Sequence, residues 1–256
     1  MINQGQLVVF ILILTRVSVF IAVFPIFSRR QLPNLVKVGL SAALTLFWFA
    51  EAEAHTASAV EDATSWAAIL LIAKEVLTGI VLGTAMAAFF YPAKVAGAYV
   101  GQELGLSLAS ISDPGSQDSS TLVTRLFETF TILLFFSINL HHFLILALHY
   151  SFEQLSAGLS IGELPTEQLV TLLTRVCDYG LLVAAPLMIL FMLVSLILAF
   201  LNRAAPSLNL FSVGMSIRAG LGIFCLFLFS PVIFGAMESY LYRVQQDVEN
   251  LIGALL

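Results

Sequence analysis

The chain has 256 residues, 59% hydrophobic and only 11% charged, with a formal net charge of -5 and a mean hydropathy of +0.99. Ordinary soluble domains carry about 25% charged residues, so this composition excludes one and implies a protein embedded in a membrane or in a membrane complex. The acidic balance excludes the basic footprint of a nucleic-acid binder.

The opening "MINQGQ" has no Lys or Arg before its apolar run. A cleavable signal peptide begins with a basic segment, so the first helix is expected to be retained. Apolar blocks then fall at about 7–27, 36–50, 66–91, 126–150, 176–201 and 210–236. A spanning helix needs about 20 mostly apolar residues, and the second block falls short of that. Arg16 sits in the middle of the first block. Lys74 and Glu75 split the third, Arg125 and Glu128 open the fourth, and Asn139, His141 and His142 lie deep inside it. Arg218 lies in the last, and Pro25, Pro186 and Pro231 predict kinks or ends.

A charge at the bilayer centre costs about 2.5–3.5 kcal/mol on insertion scales. These blocks are therefore expected to face protein, or to stay out of the bilayer core. Arg125 with Glu128, and Arg175 with Asp178, are spaced to pair on one helix face; local neutralisation and a polar conduit are both open readings. Basic residues (Arg29, Arg30, Lys37, Lys94, Arg203) and the acidic stretches 51–65 and 151–170 alternate between connections. The positive-inside rule then puts the basic connections in the cytoplasm and the N-terminus outside. In the tail "ESYLYRVQQDVENLIGALL", Leu241, Val244, Val248 and Leu251 recur at helical spacing and predict an amphipathic helix for a partner or an interface. Cys177 and Cys225 lie in apolar runs and read as small buried hydrophobes.

The chain has no zinc-protease, nucleophile-elbow or phosphate-loop motif, so neither enzymatic activity nor a cofactor is expected. His142 and His149 share a helix face, but no carboxylate or Cys completes a metal-ligand set at close spacing. A hydrogen-bonding interface or a proton relay are the roles left for the histidines.

Glycine carries more. Gly79 and Gly83, then the ladder Gly97, Gly101 and Gly105, are small-xxx-small patterns that let helices approach backbone to backbone. The approach is either within the chain or between neighbouring subunits around a narrow axis. The segment Ser110 to Ser120 follows, with a turn signature at Ser112, Asp113, Pro114 and Gly115. Such a segment is a surface loop, or it lies at membrane depth buried in protein or lining a cavity. Between the last two blocks, Arg203 can reach the carbonyls ending the preceding helix, Pro206 stiffens the turn, and Asn209 can cap the next helix; a generic turn is the alternative.

Three stretches together resemble a known family: "GQELGLSLASISDPGS" with "LFFSINLHHFLILALHYSF", "AAPLMILFMLVSLILAFLNRAAPSLNLFSVGMSIRAGLG", and the opening "FPIFSRRQLPNLVKVGLSAALTL". They are similar to the FliR-type export-gate subunits of type III secretion, over essentially the whole chain and in the right order. The resemblance implies an all-α fold of membrane-associated, bent helical hairpins, a single domain over 1–256 with a FliP-like part at about 1–200 and a FliQ-like part at 201–256. It implies a cone-shaped hetero-oligomer with FliP-like, FliQ-like and FlhB-like partners, at the bacterial inner membrane and flagellar basal body, partly on the periplasmic side. It further implies that the chain lines and gates a channel for unfolded substrates, with the Ser110–Gly115 loop pointing into the pore as a plug. An injectisome homologue is the near alternative. A proton-coupled secondary transporter using His141, His142 and Glu103 is the distant one, and the chain lacks the internal repeat with matching broken helices that such transporters show.

Overall fold

A computed structural model describes residues 4–28, 33–60, 65–106, 120–154, 166–204 and 210–255. All secondary structure among them is helical: α1 (Gln4–Val23), α2 (Pro25–Ser28), α3 (Asn34–Val60), α4 (Ser65–Ala87), α5 (Tyr91–Glu103), α6 (Leu122–Ser137), α7 (Leu140–Gln154), α8 (Thr166–Ala204), α9 (Leu210–Leu228) and α10 (Ser230–Leu255). The fold is all-α.

Gly5–Val23, Ala68–Ala87 and Thr166–Ala204 are long and apolar enough to cross a membrane. At 1.5 Å per residue, the 39 residues of α8 extend about 58 Å, nearly twice the roughly 30 Å hydrocarbon core. It keeps Pro186 inside an unbroken helix. The pairs α6/α7 and α9/α10 have the apolar length of a span only as broken helices. Asn139 breaks the first pair at φ 61°; its short polar side chain makes this left-handed conformation cheaper than for most residues. Its carbonyl then accepts the His142 N–H at 3.0 Å and starts α7. The second pair bends by 65° at Phe229. Pro231 is the second residue of α10, where a missing N–H has no helical partner to lose.

The chain folds as two compact units. The first comprises Met1–Ala88, Asn139–Leu172 and Gln246–Leu256; the second comprises Phe89–Ile138 and Leu173–Gln245. In the first, α1 packs on both α3 and α4, burying Leu12, Ile13, Val17, Phe20 and Ile21. Lys74 and Glu75 do not divide the third block: α4 runs through them without a break.

In the second unit, α5 packs on α6, and Phe89 (edge to face) and Phe90 (tilted) pack against Phe135 with ring centroids at 5.6 and 5.2 Å. Tyr240 is buried beside them. Its hydroxyl donates to the Phe89 carbonyl at 3.2 Å and lies 3.2 Å from Thr131 Oγ1, which donates to the Phe127 carbonyl at 3.0 Å. The Phe89 carbonyl belongs to the turn before α5, where regular helical bonding lapses, and the tyrosine hydroxyl bonds to it there.

Two sequence expectations are corrected. Leu241, Val244, Val248 and Leu251 are each 0% exposed, so this apolar stripe of the tail is covered by the chain itself rather than left open for a partner. Cys177 is exposed, while Cys225 is buried, because α8 turns residue 177 outward between the buried Val176 and Gly180.

Tyr240→Phe keeps the ring but leaves the Phe89 carbonyl without its side-chain donor. The expected cost is about 1–3 kcal/mol, read as a lower unfolding temperature in detergent. Tyr242→Phe, at an exposed position, is expected to stay within about 0.5 kcal/mol of the parent.

Candidate functional site

Three of the charges that interrupt the apolar blocks converge in the first unit. Arg16 and Glu75 are both fully buried, with Nε to Oε2 at 2.5 Å. Arg16 Nη1 donates to the Ser151 carbonyl at 2.6 Å and reaches Ser151 Oγ at 3.3 Å. The guanidinium lies over the Phe152 ring, 4.4 Å from its centroid, and Phe152 packs on Trp48 at 5.4 Å. One guanidinium therefore ties α1 to α4 and α7 through a carboxylate, a carbonyl and an aromatic face, and Trp48 of α3 packs on that same aromatic ring. Lys74, beside Glu75, is 4% exposed, and its Nζ has no hydrogen-bond partner among the described residues.

The glycines above Glu75 let this pairing form. A Cβ on Gly79 would lie 2.9 Å from the Arg16 carbonyl and 3.0 Å from Val19 Cβ; one on Gly83 would lie 2.8 Å from Val23 Cβ. Contacts advance together along both helices, so α1 and α4 run parallel, pressed backbone to side chain.

The ladder of the second unit divides by role. A Cβ on Gly97 would lie 2.5 Å from Thr124 Cα, and one on Gly101 would overlap the Thr121 hydroxyl. Thr121 is the N-cap of α6, its side chain accepting the Thr124 N–H at 3.2 Å, so Gly101 makes room for a cap. As residue numbers rise along α5 they fall along α6, so the two helices are antiparallel. Gly97 and Gly101 thus seat α6 of the same chain. Gly105 does not continue this packing face. It sits at φ 75°, with its N–H on the Gln102 carbonyl and the Leu106 N–H on the Gly101 carbonyl, both at 3.0 Å. This is the Schellman closure of α5, which glycine adopts without Cβ strain.

Two further notches carry no sequence signature beyond a glycine in an apolar run. Gly180 admits Val95 and the Pro92 carbonyl, and Gly222 admits the end of Leu104, with Phe191 Cζ 2.8 Å from the Cβ position. Gly214 meets Leu198 and Arg218 meets Ser195, so α8 and α9 form an antiparallel hairpin. Arg218 Nη2 donates to Ser195 Oγ at 2.9 Å, while Nη1 lies 3.7 Å from Glu103 Oε2.

Arg203 is exposed in the last turn of α8. Pro206 and Asn209, and Ser110, Ser112, Asp113, Pro114 and Gly115, lie outside the described residues. His141 and His142 have ring centroids 4.2 Å apart, and His149 lies 3.5 Å from Glu153. Among the described residues no three His, Cys, Asp or Glu side chains are grouped for a metal ion.

Glu75→Gln leaves the Arg16 charge buried without its counter-ion, at an expected cost of about 3–5 kcal/mol. The folded yield in detergent should collapse, and the pair Arg16→Met with Glu75→Leu should recover most of it. Gly101→Leu drives a side chain into the α6 cap and should cost about 1–3 kcal/mol in the isolated chain, before any partner is present. Gly39→Leu, where a Cβ meets nothing within 4 Å, is the tolerated control.

The chain matches the family described as bacterial export proteins, family 1, over residues 7–244. Flagellar biosynthetic protein FliR of Escherichia coli K12 is 34% identical over 246 residues, covering 94% of this chain and 92% of that protein. Its namesake in Bacillus subtilis 168 is 25% identical over 248 residues, covering 95% and 94%. Yop proteins translocation protein T of Yersinia pestis is 29% identical over 258 residues, covering 98% and 97%. With the match running from the first helix into the last, this chain belongs to the bacterial export proteins, family 1.

Proposed function

We propose that the chain is a non-catalytic structural and gating subunit of the flagellar type III protein export channel. It sits in the bacterial inner membrane at the flagellar basal body, needs no cofactor, and lines and plugs a pore for unfolded flagellar proteins. The observation that carries this reading is the match over nearly the whole chain to an export family, with a flagellar relative at 34% identity.

The geometry supports it. Exposed faces of α8 and α9 are apolar, as at Ile189, Met192, Phe200, Phe224 and Phe227, and suit lipid or neighbouring helices. The outward face of α5 is different: Tyr91, Lys94, Tyr99 and Gln102 are exposed there. A polar and aromatic face on a 13-residue helix, too short to span a bilayer, suits an aqueous wall. In this reading α5 lines the export path and FliP-like, FliQ-like and FlhB-like subunits complete it, in a cone-shaped assembly partly on the periplasmic side. The chain itself combines a FliP-like part at about 1–200 with a FliQ-like part at 201–256, and residues 110–120 supply the plug.

The Yersinia relative, at 29% identity over 98% of this chain, favours a second reading as an injectisome subunit. Expression in a motile bacterium lacking its own FliR distinguishes the two. Restored swimming is the expected result; restored effector secretion in a strain lacking translocation protein T, without swimming, would move the chain to the injectisome. The plug has its own test. Deleting Gly115 to Ser119 should leave the complex assembled and raise its resting conductance in a planar bilayer, whereas unchanged conductance would assign the plug to a partner.

A further inference from the structure

The C-terminal end of α5 is held at three consecutive residues by the α8–α9 hairpin. Glu103 faces Arg218, the end of Leu104 fills the notch left by Gly222 beside Phe191, and Gly105 faces Met215. We propose that Glu103 and Arg218 form a releasable latch that keeps the end of α5 on this hairpin and the resting channel shut. The inference rests on the gating reading above and adds to it the residues that regulate the closed state.

The contrast between two interhelical Arg–Glu contacts among the described residues motivates this. Arg16–Glu75 is 0% exposed on both sides at 2.5 Å, and water has no access to it. Arg218–Glu103 is 33% and 41% exposed at 3.7 Å, too long for a directional hydrogen bond and open to water or to a competing polar group. Arg218 is the one charged residue of α9, so it needs a partner in either state. Ser195 provides one. Its Oγ donates to the Phe191 carbonyl at 2.7 Å and accepts from Arg218 at 2.9 Å. When Glu103 departs, the guanidinium stays bonded on the hairpin. Leu104 is seated in a glycine notch with no covalent or polar tie to it, so it can leave together with Glu103. The Schellman closure at Gly105 keeps α5 itself intact as its end moves.

The test uses the complete export complex, purified and fused into planar bilayers, with resting open probability as the readout. Glu103→Gln and Arg218→Gln should each raise it about five-fold, the scale of one partly exposed ion pair. Exchanging the charges, Glu103→Arg with Arg218→Glu, should restore the parental value, which a merely structural loss of packing would not do. If the variants fail to assemble, the parent complex alone carries the test. Raising salt from about 0.1 M to about 1 M shortens the screening length from about 10 Å to about 3 Å and should raise its resting open probability several-fold. Single variants that assemble with parental open probability, or a salt-insensitive parent, overturn the latch. A parent complex that shows no channel at rest or under a translocating substrate overturns instead the gating reading on which the latch rests.

Discussion

A guanidinium and a carboxylate, both wholly removed from solvent and in direct contact, determine how the first unit can pack. Neither charge is tolerable alone inside apolar helices, since an unpaired buried ion costs several kcal/mol. Their meeting therefore fixes the rotation of α1 against α4. Gly79 and Gly83 fix the separation of the same two helices, because each accepts the Arg16 carbonyl or a valine where a Cβ would stand. Rotation by charge and distance by glycine together leave one parallel register. Ser151 and Phe152 then fasten α7 to the same guanidinium. An isolated hydrophobic contact could slide along the helix, whereas this one cannot without stranding a charge.

The second unit is built on a different constraint. Close approach at Gly97, Gly101, Gly180 and Gly222 draws α5 against α6 and the α8–α9 hairpin, and Tyr240 closes the turn ahead of it through the Phe89 carbonyl. A short helix with a polar outer face is thereby seated among long apolar ones. That arrangement suits a subunit whose apolar surfaces meet lipid or neighbours while one face meets water. The charges of the two units differ accordingly: a dry, permanent pair stabilises packing, and a wet, longer pair stands beside the end of α5.

What was legible in the sequence follows the range of the interactions involved. Helical class and approximate block positions rest on the length of apolar runs, which is a local property, and they appear in the structure. The effect of Lys74 and Glu75 was misjudged as a split because the residue that neutralises Glu75 lies 59 positions away. An Arg in one apolar block and a Glu in another were visible, but their equal depth was not. The glycine ladder was legible as a spacing, yet Gly105 differs from Gly97 and Gly101 only in backbone conformation, which no spacing encodes. The same holds for Asn139, conspicuous as a polar residue in an apolar block but not as the break. For the final helix the amphipathic stripe was clear and its occupant was not, because the sequence cannot say whether a neighbouring helix of the same chain covers it. Cys177 illustrates the same limit on a helix whose apolar residues face both ways.

The central claim is that exported polypeptides pass along this chain. A photo-crosslinking amino acid at Gln102, exposed on the polar face of α5, tests it most directly in cells carrying an export substrate stalled by a folded C-terminal domain. The account predicts a covalent adduct between this chain and the stalled substrate, absent when the substrate lacks its export signal. Adducts confined to lipid or to neighbouring subunits, at Gln102 and at Tyr99 alike, with a substrate demonstrably stalled in the complex, would contradict it.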